Sequence, residues 1–275
     1  MLMPALALGI FGSLIGSFLN VVVYRVPAGL SIVSPPSACP RCGEPIKGYD
    51  NIPLLSWLML RAKCRHCGEP ISARYPLVEL GTGVAFAAVA VWFALARWHA
   101  ADAAQLTASI LELVAFLYLA AISIALALID LDTNRLPNAI VLPSYLIGGV
   151  LLGAASVITR DWSQLVIMLI GGAALFALYF VVALISPRGM GFGDVKLAGV
   201  LGLFLAHLGI AQLMVGAFAA FLLGGLFAVV LLITGRARRG SGIPFGPWML
   251  AGAWFGAVAG APAAALYLSL FGLTA

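Results

Sequence analysis

Long apolar segments recur along this 275-residue chain and constrain its fold more than any other feature. A helix of about 20 mostly apolar residues is long enough to cross the roughly 30 Å hydrocarbon layer of a bilayer. Apolar residues make up 63% of the sequence and charged residues only 9%. The sequence therefore predicts an all-α polytopic membrane protein with about eight transmembrane helices, whose partner is the lipid bilayer. The predicted segments are 5–24, 76–97, 107–129, 138–159, 164–185, 194–208, 210–234 and 247–272.

The basic residues lie almost entirely on one side of these segments. Loops that stay in the cytoplasm are enriched in Lys and Arg. Only Arg97 and Arg160 fall in the loops of the other side, so we expect the loop 25–75 to be cytoplasmic and both termini to lie outside. The net charge of +5 follows from this topology and gives no indication of nucleic-acid binding. The remaining basic residues are Arg25, Arg41, Lys47, Arg61, Lys63, Arg65, Arg74, Arg135, Arg188, Lys196, Arg236, Arg238 and Arg239.

Four cysteines, the only ones in the chain, lie in the loop 25–75. They form two Cys-x-x-Cys pairs, each followed by glycine, with 21 residues between the pairs: Cys39, Cys42, Cys64 and Cys67. This pattern is typical of tetrahedral Zn²⁺ coordination by four thiolates, although the interval is slightly long. A reducing cytoplasm disfavours disulfides, and a redox dithiol is the alternative. His66 lies within the second pair and is expected to be a bystander.

The predicted domains follow from these features. Residues 1–24 form the first transmembrane helix, because the chain starts with an apolar run and lacks the basic region and cleavage site of a signal peptide. Residues 25–75 form a zinc-binding loop domain, too small for a large core of its own and in need of a metal. Residues 76–275 form the remaining membrane core.

Two aspartates at the ends of apolar segments are the candidate catalytic residues. An ionisable side chain at membrane depth costs roughly 2.5 to 3.5 kcal/mol on insertion scales, so each needs a functional or structural reason. Asp194 follows Gly191 and Gly193, which permit close approach of another backbone; the alternative is that Asp194 only caps the next helix. Asp130 directly follows the third segment, whereas Asp132 points to another side of a helix and is expected to be solvated or supporting.

Two carboxyls that face one water in a medium of low dielectric constant share a proton and titrate as a pair. The ionised member takes a proton from water, and the protonated member donates to the peptide carbonyl and then to the leaving nitrogen. This hypothesis requires no metal or nucleophilic side chain. It also fits the absence from the sequence of His-Glu-x-x-His and Gly-x-Ser-x-Gly motifs.

The other polar residues of the segments are harder to interpret. Glu79 either pairs with Arg74 or faces the active cavity, and Glu112 has no role that the sequence assigns. His207, near the end of the sixth segment, is expected to be an interfacial side chain.

Several motifs, in order, resemble the type IV prepilin peptidases, a family of GxGD-type membrane aspartyl proteases that also methylate the new N-terminus. They are Gly16-Ser-Phe-Leu-Asn-Val-Val-Val-Tyr-Arg-Val-Pro27, the two cysteine pairs with Asn51-Ile-Pro-Leu-Leu-Ser-Trp57 between them, Arg74-Tyr-Pro-Leu-Val-Glu79, Asp130 seven residues before Pro137, Met190-Gly-Phe-Gly-Asp-Val-Lys-Leu197 and Ile243-Pro-Phe-Gly-Pro247.

The resemblance implies a complete functional assignment. Asp130 and Asp194 would be the catalytic pair, supported by Gly191, Gly193 and Lys196, and the four cysteines would bind structural zinc. The substrates would be prepilins and pseudopilins, cut at the cytoplasmic face of the bacterial inner membrane. Methylation would use S-adenosylmethionine, for which the sequence shows no glycine-rich nucleotide motif, so that activity rests on the resemblance alone.

Two other functions remain open at this point. An intramembrane protease would share the aspartate pair but would cut within transmembrane helices. A proton-coupled transporter would use Asp130, Asp194 and Glu112 as a relay distributed through the bilayer. The clustering of the two aspartates at one face favours the protease.

Overall fold

The computed structural model describes residues 2–187, 189–235 and 244–273, and within them it is helical, with isolated bridges but no named strand. The predicted basic residues Arg188, Arg236, Arg238 and Arg239 lie outside this part of the chain. The helices are α1 (Leu2–Arg25), α2 (Leu55–Met59), α3 (Arg74–Ala96), α4 (Ala103–Thr133), α5 (Asn138–Ile158), α6 (Trp162–Ile185), α7 (Phe192–Leu208), α8 (Ile210–Ile233) and α9 (Gly246–Leu270), with a 3₁₀ turn at Gly48–Asp50.

Seven of these helices are long and apolar enough to cross a membrane, which confirms the predicted fold class. The remaining predicted segment, 194–208, the sixth along the chain, forms α7, which has 17 residues. At 1.5 Å per residue α7 is about 26 Å long, slightly less than the hydrocarbon thickness. Nearly every residue of α7 from Val195 to His207 is buried against other helices. A helix surrounded by protein does not have to match the bilayer thickness by itself.

The chain divides into two compact units, and α4 contributes to both. Unit 1 comprises Met1–Trp98 and Phe116–Ala125, and unit 2 comprises His99–Ala115 and Leu126–Ala275. In unit 1, α1 packs on α3 through small residues. A Cβ on Gly12 would lie 2.7 Å from Phe86, and one on Gly16 would lie 2.7 Å from the Cα of Glu79. Glycine at these positions therefore allows the two backbones to approach closely.

Unit 2 is built around α7, which contacts α5, α6, α8 and α9. The contact between α6 and α7 is close because glycines face each other. A Cβ on Gly202 would lie 2.5 Å from the carbonyl oxygen of Gly171. Helices α8 and α9 meet in the same way, since a Cβ on Gly256 would lie 2.5 Å from the Cα of Gly216. This packing fixes the N-terminus of α7, where Asp194 lies.

Candidate active site and metal centre

Asp130 lies near the C-terminus of α4 and is one of the few buried charged side chains of the described chain, with only 4% of its surface exposed. The helix continues for one more turn and ends at Thr133, because Asn134 adopts a left-handed conformation with φ of 52°. Oδ2 of Asp130 accepts a hydrogen bond of 2.9 Å from the backbone amide of Gly246, at the start of α9. Asp132, two residues further on, is exposed, as the sequence predicted.

Asp194 lies in the first turn of α7. Its Oδ2 accepts a hydrogen bond of 3.0 Å from the backbone amide of Gly191, the residue that precedes the helix. This contact makes Asp194 a capping residue of α7, as the alternative interpretation predicted. A carboxylate in the first turn accepts a hydrogen bond from an otherwise unpaired amide and interacts favourably with the helix dipole. Capping occupies one carboxylate oxygen and does not exclude a role for the other.

Asp130 and Asp194 belong to the same unit. Leu136, in the turn between α4 and α5, lies against the glycines beside both acids. A Cβ on Gly246 would be 3.2 Å from Cδ2 of Leu136, and one on Gly193 would be 3.0 Å from Cβ of the same leucine. The ends of α4, α7 and α9 therefore meet around one apolar side chain, with a carboxyl from α4 and one from α7.

Lys196 does not extend toward these carboxyls in the observed contacts. Its Nζ donates a hydrogen bond of 2.9 Å to Oδ1 of Asn138 and lies 4.8 Å from the centre of the Phe192 ring. The hydroxyl of Tyr145 donates a hydrogen bond of 2.6 Å to the carbonyl oxygen of Lys196. These contacts tie α5 to the first turns of α7. No local sequence pattern indicates these contacts of α5, because their partners lie more than 50 residues away.

The four cysteines of unit 1 form one cluster, in which all sulfur atoms lie within 4.8 Å of one another. The two Cys-x-x-Cys pairs fold alike. In each, the glycine after the second cysteine has a positive φ, 73° at Gly43 and 71° at Gly68, and its amide donates to the carbonyl of the first cysteine. An ion pair between Arg41 and Glu69 links the two turns.

This cluster has the donor set and spacing of a four-thiolate metal site. A tetrahedron with Zn–S bonds of 2.3 Å has sulfur atoms about 3.8 Å apart, and Sγ of Cys39 lies 3.8 Å from Sγ of Cys67. Hydrogen bonds from the backbone amides of Cys42 and Arg41 lower the pKa of the Cys39 thiol to about 6. This lowering favours the thiolate, the metal-binding form, at Cys39. At Cys67 a backbone hydrogen bond from Glu69 lowers the pKa of the thiol, but burial and the neighbouring sulfur atoms outweigh it and raise that pKa to about 11.

Glu79 is a buried acid of unit 1 and supports the cysteine loop. It is 8% exposed, and its Oε2 accepts a hydrogen bond of 2.8 Å from the backbone amide of Leu54. Leu54 has a φ of 62° and precedes α2. A left-handed conformation is unfavourable for a leucine, so this carboxylate stabilises the turn between the two cysteine pairs.

The structure corrects the interpretation of His207 and gives Glu112 a partner. His207 is 1% exposed rather than interfacial, because α7 is surrounded by other helices. Its Nε2 lies 3.2 Å from Oε1 of Glu112, within unit 2. Both residues lie toward the ends of α4 and α7 opposite to those that carry the aspartates, so neither belongs to the candidate active site.

Comparisons with known proteins give matches along most of the chain. The family model for the bacterial peptidase A24 N-terminal domain matches residues 10–93, and the model for the type IV leader peptidase family matches residues 117–229. A prepilin leader peptidase/N-methyltransferase of Aeromonas hydrophila is 34% identical over 95% of this chain and 93% of its own length.

Two further relatives carry the same name. The Pseudomonas aeruginosa protein is 33% identical over 96% of this chain and 93% of its own length, and the Myxococcus xanthus protein is 39% identical over 85% of this chain and 65% of its own length. No solved structure matches the chain significantly. The identity of the relatives over nearly the whole sequence shows that this chain belongs to the type IV leader peptidase family.

Proposed function

We propose that this chain is a membrane aspartic endopeptidase that removes the leader peptide of type IV prepilins and pseudopilins and then methylates the new N-terminal amine. The observation that supports this most strongly is the arrangement of Asp130 and Asp194. They come from different helices of one unit, the glycines Gly193 and Gly246 next to them lie beside the same leucine, Leu136, and each acid accepts a hydrogen bond from a glycine amide. The names of the relatives supply the substrate class and the second activity.

In the proposed mechanism, the two carboxyls hold one proton between them and activate one water molecule. The ionised member removes a proton from the water as it attacks the scissile carbonyl carbon, while the protonated member donates to the carbonyl oxygen. The proton taken from water then passes to the leaving nitrogen as the C–N bond breaks. The amides of Gly246 and Gly191 each hold one oxygen of a carboxyl, and in this mechanism the other oxygen of each carboxyl acts on the water and the peptide.

We place this reaction at the cytoplasmic face of the inner membrane. The positive-inside rule supports that orientation, because the loops on the same side as both aspartates carry most of the basic residues. The substrate would reach the site where its basic leader gives way to its apolar helix, which is also where a bilayer-embedded substrate first leaves the hydrocarbon. Both termini of the enzyme would then lie outside.

We assign the metal and the methyl donor to separate roles. Cys39, Cys42, Cys64 and Cys67 would hold a structural Zn²⁺ that fixes the loop 25–75, and 76–275 would form the protease core. A four-thiolate shell leaves no open position for catalysis. S-adenosylmethionine would supply the methyl group to the free amine that cleavage creates.

The test uses full-length protein in detergent, a purified prepilin and labelled S-adenosylmethionine. The expected products are a mature pilin, shortened by its leader, and a label on its new N-terminus, both identified by mass spectrometry. Cleavage within the apolar helix would support an intramembrane protease instead. Proton-coupled uptake into vesicles without any cleavage would support a transporter.

A further inference from the structure

A groove of about 590 Å³ runs along unit 2 between α5, α6 and α7. It is open on one side, and its walls include the half-exposed apolar side chains of Leu142, Leu169 and Phe192. Large apolar side chains that stay exposed on membrane-spanning helices face lipid rather than water. Gly149 lies in the wall contributed by α5, and a Cβ there would meet no atom within 4 Å.

Lys196 also lines this groove, in the second turn of α7 and so near one end of the membrane-spanning helices. Its ammonium group has three N–H donors, of which one is directed to Oδ1 of Asn138. Among the residues that the structure describes, Lys196 takes part in no ion pair. A cation without a carboxylate partner at the end of an apolar groove complements an amphiphile with an anionic head.

We propose that this groove binds one acyl chain of an anionic phospholipid, whose phosphate contacts Lys196. The position fits, because cytoplasmic anionic lipids attract basic residues at the membrane surface. The volume fits as well: a helix with its side chains is about 10–12 Å across, so a space of about 590 Å³ holds little more than one helical turn, whereas a single acyl chain is much narrower.

Charge argues against the apolar helix of a prepilin as the occupant. The N-terminus of a helix carries partial positive charge, and the proposed leader is basic. Both would therefore be repelled by the positively charged Lys196. Phe192 and Lys196 also lie four residues apart on one face of α7, whereas Asp194, two residues from each, points away from that face. The groove is therefore a site separate from the aspartate pair.

The test compares lipid binding by native mass spectrometry of the delipidated full-length protein. The probes are phosphatidylglycerol and phosphatidylcholine with identical acyl chains. Transfer of the chain from bilayer to groove gains little hydrophobic energy, because lipid tails are as apolar as the groove. The headgroup then sets the preference, and one lysine near the surface predicts about fivefold tighter binding of phosphatidylglycerol.

Two variants separate the parts of the site. Gly149→Leu fills the groove without a backbone clash and should abolish binding of both lipids, while Lys196→Gln should make the two lipids bind equally. The matched control is Gly225→Leu on α8, where a Cβ also meets nothing within 4 Å and which does not line the groove; it should bind like the wild type. Circular dichroism and thermal unfolding verify that each variant folds.

Three results would overturn the proposal. They are wild-type retention of phosphatidylglycerol by folded Gly149→Leu, an unchanged lipid preference in folded Lys196→Gln, and displacement of the lipid by excess glycerol phosphate alone. The last result would mean that the phosphate binds without the chain. None of these readouts depends on peptide cleavage, so the proposal can fail while the proposed enzyme activity stands.

Discussion

The backbone amide of Gly246 donates a hydrogen bond of 2.9 Å to Oδ2 of Asp130, across 116 residues of sequence. The contact ties the first residue of α9 to the last turns of α4. A Cβ on Gly246 would lie 2.8 Å from the same carboxylate oxygen, a distance that Cβ atoms do not tolerate without a shift. Glycine at this position therefore permits the hydrogen bond and fixes the orientation of the acid.

Gly246→Ala should reduce peptide cleavage strongly without unfolding the protein. The added methyl group displaces the Asp130 carboxyl from the position at which it shares a water with Asp194. Misplacement of a catalytic group by about 1 Å costs roughly 100-fold in rate, so we expect a loss of that order in kcat with little change in KM. Steady-state kinetics on a prepilin substrate measure both constants.

The control for this variant is Gly225→Ala, which adds the same methyl group to an exposed position of α8 with open space around it. It should keep the kinetics of the wild type. Wild-type kcat in Gly246→Ala would show that the alanine is accommodated without moving Asp130, and would remove Gly246 from the proposed site.

Replacement of a cysteine ligand should release the metal. We expect one Zn²⁺ per chain in the purified wild type by elemental analysis, and none in Cys39→Ser, because three thiolates and a hydroxyl bind zinc far more weakly. The loop 25–75 should then become sensitive to protease. His66→Ala, within the second cysteine pair, should retain the metal; a metal-free wild type, or loss of zinc from His66→Ala, would contradict the four-thiolate assignment.

Glu79→Ala should loosen the same loop by a different route. It leaves the part-buried Leu54 amide without its acceptor, and the cost of about 1–3 kcal/mol for a fully buried unsatisfied donor is the upper limit of the effect. We expect a lower Tm and faster proteolysis of the loop, with zinc still bound. Glu79→Gln retains an acceptor oxygen and should recover most of the stability, whereas an unchanged Tm in Glu79→Ala would mean that the turn at Leu54 is held by other contacts.

Hydropathy predicted the helices well where apolar residues fill them to their ends. The segment predicted at 138–159 forms Asn138–Ile158, and the one predicted at 76–97 forms Arg74–Ala96. The predicted length fell furthest below the observed one for α4, which was predicted at 107–129 and is observed at Ala103–Thr133. Its final turn carries Asp130 and Asp132, which lower the hydropathy but do not interrupt the helix.

The contacts that orient the candidate site could not be derived from local patterns. Gly246 belongs to one of the motifs of the sequence, yet nothing near it in sequence indicates that its amide donates a hydrogen bond to Asp130. The burial of His207 was missed for a related reason: hydropathy indicates that a helix enters the membrane, but not whether protein or lipid surrounds it. Helical periodicity did distinguish Asp130 from Asp132, because residues two positions apart on a helix point to different sides.

In the proposed mechanism, Asp130 and Asp194 together activate one water molecule for peptide cleavage. The most direct measurement is the rate of prepilin cleavage by Asp130→Asn and Asp194→Asn, each verified as folded by circular dichroism. An amide cannot serve as general base or acid here, and such catalysis contributes about 10²- to 10⁴-fold. We predict that either variant loses cleavage by at least that factor, while substantial residual cleavage by folded Asp194→Asn would contradict the two-aspartate mechanism.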